Sequence, residues 1–193
     1  MIMPEIQVDP KDLKMLEGQF RDLPRKIPTI LSRAINRIAS MSNTQIRRGI
    51  TGQINLPSNI VSRYLKLHRS TVNTLAARIE LSGHRIPAAK FKGRRLVRGA
   101  SYQIRKGQAR KTLLYKRTDP IFWGVMPSGH EGIFTRPAGK RYKIHELLGP
   151  SISTAWSKTP GLVRSTIDNA NQNLAARIRH EIKYELEKRR SKS

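Results

Sequence analysis

The sequence predicts an α+β fold: N-terminal helices, a small antiparallel β-sheet with a long basic loop or hairpin, and a long C-terminal helix. Three observations lead there. Apolar residues recur three or four apart near both ends of the chain, they alternate in its middle, and they thin out between residues 84 and 118, where Gly, Lys and Arg dominate. A chain of 193 residues has room for one domain with its own core. It reads as a single domain over residues 1–193, with a helical part at 1–65, a sheet with its basic loop at 75–147 and a closing helix at 150–188.

A first helix is expected over residues 11–23. Asp9 caps it, Pro10 suits its first turn, and Leu13, Leu16, Phe20 and Leu23 share one face. Pro24 and Pro28 interrupt the pattern, and a longer helix follows over residues 29–49. Its apolar positions Ile30, Leu31, Ala34, Ile35, Ile38, Ala39 and Ile46 keep helical spacing, with Arg33, Arg37, Arg47 and Arg48 mostly off that stripe. Gly49 and Gly52 punctuate its C-terminal end. Ser58 then caps a short helix carrying Ile60, Val61, Tyr64 and Leu65.

Residues 77–81 alternate and stop at Ser82-Gly83, which reads as a strand. Residues 84–118 read as a long, partly mobile hairpin or loop, with strand-like pieces at 101–104 and 112–115. The most apolar run, residues 121–126, is followed by a Pro-Ser-Gly turn cluster and by residues 133–136, a hairpin signal. Tyr142-Lys143-Ile144 adds a strand, and Ser151 caps a short helix through Trp156. The closing helix, residues 160–188, carries Val163, Ile167, Ala170, Leu174, Ile178, Ile182 and Leu186 as its apolar stripe. Glu181, Glu185 and Glu187 are placed on its polar side, and a basic, frayed tail ends it.

Charge is distributed unevenly. Lys plus Arg total 38 against 13 Asp plus Glu, a net +25. Residues 23–118 hold 22 of those bases and one acid, Glu80, a net +21; residues 1–22 hold three bases and five acids. Such a midsection attracts polyanions and makes their binding sensitive to salt. Nucleic acid and an acidic protein surface satisfy the same electrostatics equally well.

The chain has no cysteine, which removes disulfide frameworks, Cys-bound zinc and thiol nucleophiles. Its N-terminus shows no secretory pattern and no apolar run reaches 18 residues, so a soluble subunit without a membrane span is expected. No phosphate-cradling glycine loop is present: Gly99 and Gly107 are too far apart, and Gly139-Lys140-Arg141 lacks the hydroxyl residue. His130, Glu131, His145, Glu146 and Asp119 supply ligand types for a metal, yet without a recognised spacing. They read as solvated turn and strand residues. The chain is therefore expected not to be an enzyme and to need no cofactor.

The candidate contacts are the bases of the middle: Lys90, Lys92, Arg94, Arg95, Arg98, Arg105, Lys106, Arg110 and Lys111. They can lie along phosphates, with Phe91 or Tyr102 stacking on a base, or dock on an acidic neighbouring subunit. Aromatics are only 6% of the chain and no RNA-recognition signature such as the RNP motifs is present, so sequence-specific readout is not expected.

Ala34-Ile35-Asn36-Arg37-Ile38-Ala39-Ser40 on a helix, Ala77-Arg78-Ile79 on a strand, and Ile86-Pro87 before a basic loop come in a telling order. With Gly139-Lys140-Arg141-Tyr142-Lys143-Ile144 and Pro150-Ser151-Ile152 before the closing helix, the chain resembles the phage lambda-type minor tail protein Z family, over about residues 30–187. It departs from that pattern where Gly93 and Gly99 break the arginine-rich stretch, and Trp123 and Trp156 have no counterpart.

The resemblance implies a structural protein of a tailed phage that completes the head-proximal end of a long tail. Its implied role is to support head–tail joining and DNA positioning. The tail terminator, the tail tube and the end of the tape measure would be its partners, in a homo-oligomeric ring with non-specific DNA contact. It would be found in the virion tail after assembly in the host cytoplasm. The charge distribution itself leads to the expectation that residues 90–117 face the DNA channel or an acidic tail partner, while the helices and the 121–144 sheet make ring contacts. Two alternatives stay open: a free non-specific nucleic-acid-binding protein of ribosomal or nucleoid type, and a metal-dependent nuclease built on Asp119, Glu131 and His145.

Overall fold

The fold is taken from a computed structural model, which describes residues 5–7, 26–117, 120–136 and 143–191. It has the α+β composition expected, with helices, small antiparallel sheets and a long C-terminal helix. The expected helix at 11–23, the turn at Gly139-Lys140-Arg141 and the start of the Tyr142–Ile144 strand lie outside the described residues. The chain divides into two compact units, one of residues 1–47, 65–81 and 160–193, the other of residues 48–64 and 82–159.

The first unit is built on the larger part of one long helix, whose last turns from Arg48 belong to the second unit, with a second long helix and a three-stranded antiparallel sheet. Helix α1 (Ile27–Gln53) begins at Ile27-Pro28, where a proline in the first turn costs no hydrogen bond. It runs past Gly49, which was expected to end it. Ile46, Ile50 and Ile54 are all buried at four-residue spacing, so burial outweighs the roughly 1 kcal/mol that a mid-helix glycine costs. Strands β1 (Glu5–Gln7), β2 (Leu65–His68) and β3 (Ala76–Leu81) pair in the order β1-β3-β2. Period-2 alternation places Ala77, Ile79 and Leu81 inside and Arg78 outside. Small and large side chains share the core here: Ala34, Ala39, Ala77 and Ala170 pack among Leu31, Ile35 and Leu174 in one apolar cluster.

In the second unit a short helix α2 (Ser58–Arg63) leads to strand β4 (Arg85–Pro87). Three strands then form one sheet in the order β5-β6-β7: β5 (Arg94–Leu96), β6 (Gly99–Tyr102) and β7 (Lys111–Leu114). The predicted hairpin is β8 (Ile121–Val125) with β9 (Glu131–Thr135), turning at Gly129 with φ +78°. A third strand β10 (His145–Glu146) joins β9 just beyond the expected Tyr142–Ile144 segment. Strand β11 (Leu148–Ser151) pairs with β4, and Ser151 caps helix α3 (Ile152–Ser157) by accepting from the Thr154 amide at 3.1 Å. Ala88, Ala100, Tyr102 and Ile133 form the buried centre of this unit.

Helix α4 (Leu162–Arg190) closes the chain in the first unit, but its buried face is not the expected stripe. Leu162, Thr166, Ala170, Leu174 and Ile178 are inside, whereas Ile167 is 46% and Leu186 45% exposed. Thr166 tolerates burial because its hydroxyl donates to the Leu162 carbonyl at 2.7 Å. Toward the C-terminus the buried positions are Glu181 and Glu185, which were expected on the polar side. Arg177 donates to Glu181, and Lys26 and Arg33 reach Glu185 at 2.6 and 3.4 Å. Buried carboxylates persist only when paired in this way. The hydrogen bond from Lys26, ahead of the opposing effect of burial, holds the Glu185 carboxyl below its usual value.

Candidate interaction surface

The basic stretch is not an unstructured loop. Its first half hangs on Phe91, which is completely buried and whose carbonyl accepts from the Gln103 amide at 2.9 Å. Gly149 makes room for the ring, since a Cβ there would lie 2.4 Å from the Phe91 Cε2 atom. Burying Phe91 turns its neighbours Lys90 and Lys92 outward, and Lys92 takes a positive φ of 46° to let Gly93 close the turn onto the Ala89 carbonyl.

Strand β5 then presents Arg94 and Arg95, both exposed, opposite Ser101 and Ala100 of β6. A two-residue turn of Val97 and Arg98 reverses the chain. Gly99 closes that turn at φ +120°, where a side chain would also collide with the Leu113 carbonyl. The middle strand β6, Gly-Ala-Ser-Tyr, has no charge and is buried along its length. Beyond it, Arg105 and Lys106 stand exposed in a turn whose Lys106 amide donates to the Gln53 carbonyl at 2.9 Å, satisfying the end of helix α1. Lys111 is exposed on the other edge strand, β7.

The cations therefore occupy the two edge strands and the turns, around a neutral centre. Eight of the nine expected contacts, Lys90, Lys92, Arg94, Arg95, Arg98, Arg105, Lys106 and Lys111, are exposed and pair with no carboxylate among the described residues. Arg110 is different. It is half-buried, and its guanidinium donates to the Lys92 carbonyl at 2.6 Å and approaches the Ser101 hydroxyl at 3.4 Å. Arg110 fastens β7 to the turn before β5, and its charge is committed to that task.

Base stacking by Phe91 or Tyr102 is overturned: both rings belong to the core, at 0% and 9% exposure. Three apolar residues that the sequence reading passed over lie at one end of the same sheet. Val97 is fully exposed in the β5–β6 turn, and Leu114 and Tyr115 are 59% and 53% exposed at the end of β7. The ladder Leu96–Gly99–Leu114 and the bond from the Tyr115 amide to the Arg98 carbonyl hold them side by side. The signal was there as Leu96-Val97 and Leu113-Leu114-Tyr115 interrupting cationic runs.

In the second cluster of titratable groups, Glu131, His130 and Glu146 are engaged internally. Glu131 accepts from the Trp123 indole at 2.6 Å, His130 pairs with Glu146 at 2.7 Å, and His145 lies opposite Thr135. Asp119 lies outside the described residues, and no trio of His, Asp and Glu among the described ones is placed to hold a metal.

Compared with known families, the chain matches the model for prophage minor tail protein Z over residues 13–191. The chain belongs to that family. It is a structural protein of a phage tail, and the expectation drawn from its ordered motifs holds. No curated protein and no solved structure matches the chain. Among the described residues of this minor tail protein, no helix is long and apolar enough to cross a membrane. Gly93 and Gly99, the two glycines that interrupt the arginine-rich stretch, shape its basic sheet.

Proposed function

We propose that this minor tail protein completes the head-proximal end of a long tail and supports head–tail joining and the positioning of DNA. In this reading the whole chain acts as a single tail-completion domain, in a homo-oligomeric ring against the tail terminator, the tube and the end of the tape measure. Assembly takes place in the host cytoplasm. The cationic sheet β5–β6–β7 meets either DNA or an acidic tail partner, and the remaining elements make the ring contacts.

One observation carries the proposal: eight exposed cations without carboxylate partners among the described residues are held on the edge strands of a folded three-stranded sheet and in the turns around it, in a phage tail protein. Copies held near one another would repel unless negative charge is brought in between them. A sheet whose charges sit on its edges also resists pairing with another sheet, but that protection needs far fewer cations than are present.

The test is complementation of a phage lacking this gene with chains in which Arg94, Arg95 and Arg98 are replaced by Gln. The proposal expects tails that form but join heads poorly, lowered infectious titre, and gold label on the wild-type chain at the head-proximal end of the tail. Normal joining and titre with the neutral variant would refute it. So would label elsewhere along the tail.

A further inference from the structure

The end of the basic sheet combines two chemistries that a phosphate backbone does not need together. Val97, Leu114 and Tyr115 are exposed apolar residues gathered at this end of the sheet, and Arg95, Arg98, Lys116 and Arg117 flank them with charge. We propose that this end docks into an acidic protein surface of another tail subunit, one with an apolar recess rimmed by carboxylates. The inference rests on the tail-completion reading and chooses, between its two polyanions, the protein.

Shape favours that choice. Strands stand about 4.8 Å apart, so the end of a three-stranded sheet is roughly 10 Å across, wider than the ~6 Å minor groove that apolar wedges enter. The major groove is wide enough, but it offers an apolar side chain little beyond thymine methyl groups. Phe91 and Tyr102 are buried, which leaves Tyr115 as the one exposed ring among the described residues of this region. An apolar centre with a charged rim is the ordinary anatomy of a protein–protein contact.

A second copy of this chain is a poor match through its described surface. Every acid with a described side chain is already engaged: Glu80 with His68, Glu146 with His130, Asp168 with Arg164, Glu181 with Arg177, Glu185 with Lys26, Glu187 with Lys183, and Glu131 with Trp123. Among the described residues, charge complementarity therefore favours a different subunit.

The experiment places the photocrosslinker p-benzoylphenylalanine at Val97 of the full chain, with Arg164 as a control position, and irradiates assembled tails purified from the complemented phage. The expected product is a crosslink from position 97, and not from position 164, to an acid-rich peptide of another tail protein. A crosslink to DNA, to a second copy or to a peptide without carboxylates overturns the proposal, as does no crosslink in tails that contain the chain. Absence of the chain from tails overturns the tail reading as well, so the two failures are distinguishable.

A paired measurement guards against misfolding. Val97→Asp should lower incorporation into tails about tenfold, the equivalent of one repelled charge at a contact, and Val97→Ser by less. Both variants should melt as the wild type does, because Val97 touches little in the isolated chain. Equal incorporation of Val97→Asp and wild type overturns the proposal.

Discussion

The side-chain amide of Asn36 reads the backbone of Ser70 as a strand would, donating to its carbonyl at 2.9 Å and accepting from its amide at 2.8 Å. Ser32 adds a second donor to the same carbonyl at 3.1 Å, and the Ser70 hydroxyl turns away to the Thr74 carbonyl. The connection between β2 and β3 is thereby tied to helix α1 by groups that burial would otherwise leave unsatisfied. Asn36 lies within the helical motif that carries the family resemblance, and the bond pair supplies a physical reason for an asparagine there. Asn36→Ala should lower the stability of the first unit by about 1–3 kcal/mol, the cost of stranding the Ser70 amide, while the Ser70 carbonyl keeps its bond from Ser32. Asn36→Asp keeps the acceptor, loses the donor, and should also be destabilising. Urea unfolding of each variant measures both.

Glu185 makes the first unit sensitive to acid. Its carboxyl is held low chiefly by the hydrogen bond from Lys26, with Arg33 and Lys188 adding attraction. A carboxyl with a lowered folded value contributes stability that is complete above its ordinary value. That contribution begins to be lost as pH falls below about 4.5 and is gone below the lowered value. Glu185→Gln should cost on the order of 2 kcal/mol at neutral pH and flatten the acid limb of stability against pH. An unchanged acid limb in the variant would remove Glu185 from the account.

Gly99 and Gly107 share positive φ angles but differ in their surroundings. A Cβ at Gly99 would lie 2.0 Å from the Leu113 carbonyl, whereas nothing stands within 4 Å of one at Gly107. Gly107→Ala should therefore cost about 1 kcal/mol for its backbone alone. Gly99→Ala should exceed that by at least about 2 kcal/mol, because strain and collision add. Thermal melts of the two variants give the comparison directly.

Arg94 and Arg110 separate charge that is available from charge that is committed. Arg94→Ala should leave stability within about 0.5 kcal/mol of wild type. Arg110→Ala should cost about 0.5–1.5 kcal/mol, because the Lys92 carbonyl and Ser101 lose their donor. In polyanion binding the order reverses: with heparin as the probe, Arg94→Ala should reduce the salt dependence of affinity and Arg110→Ala should not.

Much of the framework was legible from residue order alone. The spacing of Ile30, Leu31, Ala34, Ile35 and Ile38 identified α1, alternation at residues 77–81 identified β3, and the turn cluster after Val125 identified the β8–β9 hairpin. The cationic midsection and the family followed from the same string. Local periods and turn chemistry act over a few residues, so the order of residues suffices to reveal them.

What only the tertiary structure decided is which face each element buries. In α4 the expected stripe and the observed one share Ala170, Leu174 and Ile178. Partners on α1 and the residue before it decide the rest, drawing Glu185 inward through Lys26 and Arg33 and leaving Ile167 and Leu186 outside. In the basic region Phe91 and Tyr102 turn inward because Gly149 and Ile133, far along the chain, complete their pocket. Spacing along a chain determines periodicity, but burial is settled by contacts between distant segments. A cation that is free, like Arg94, therefore cannot be told from one that is spent, like Arg110, until the sheet is folded.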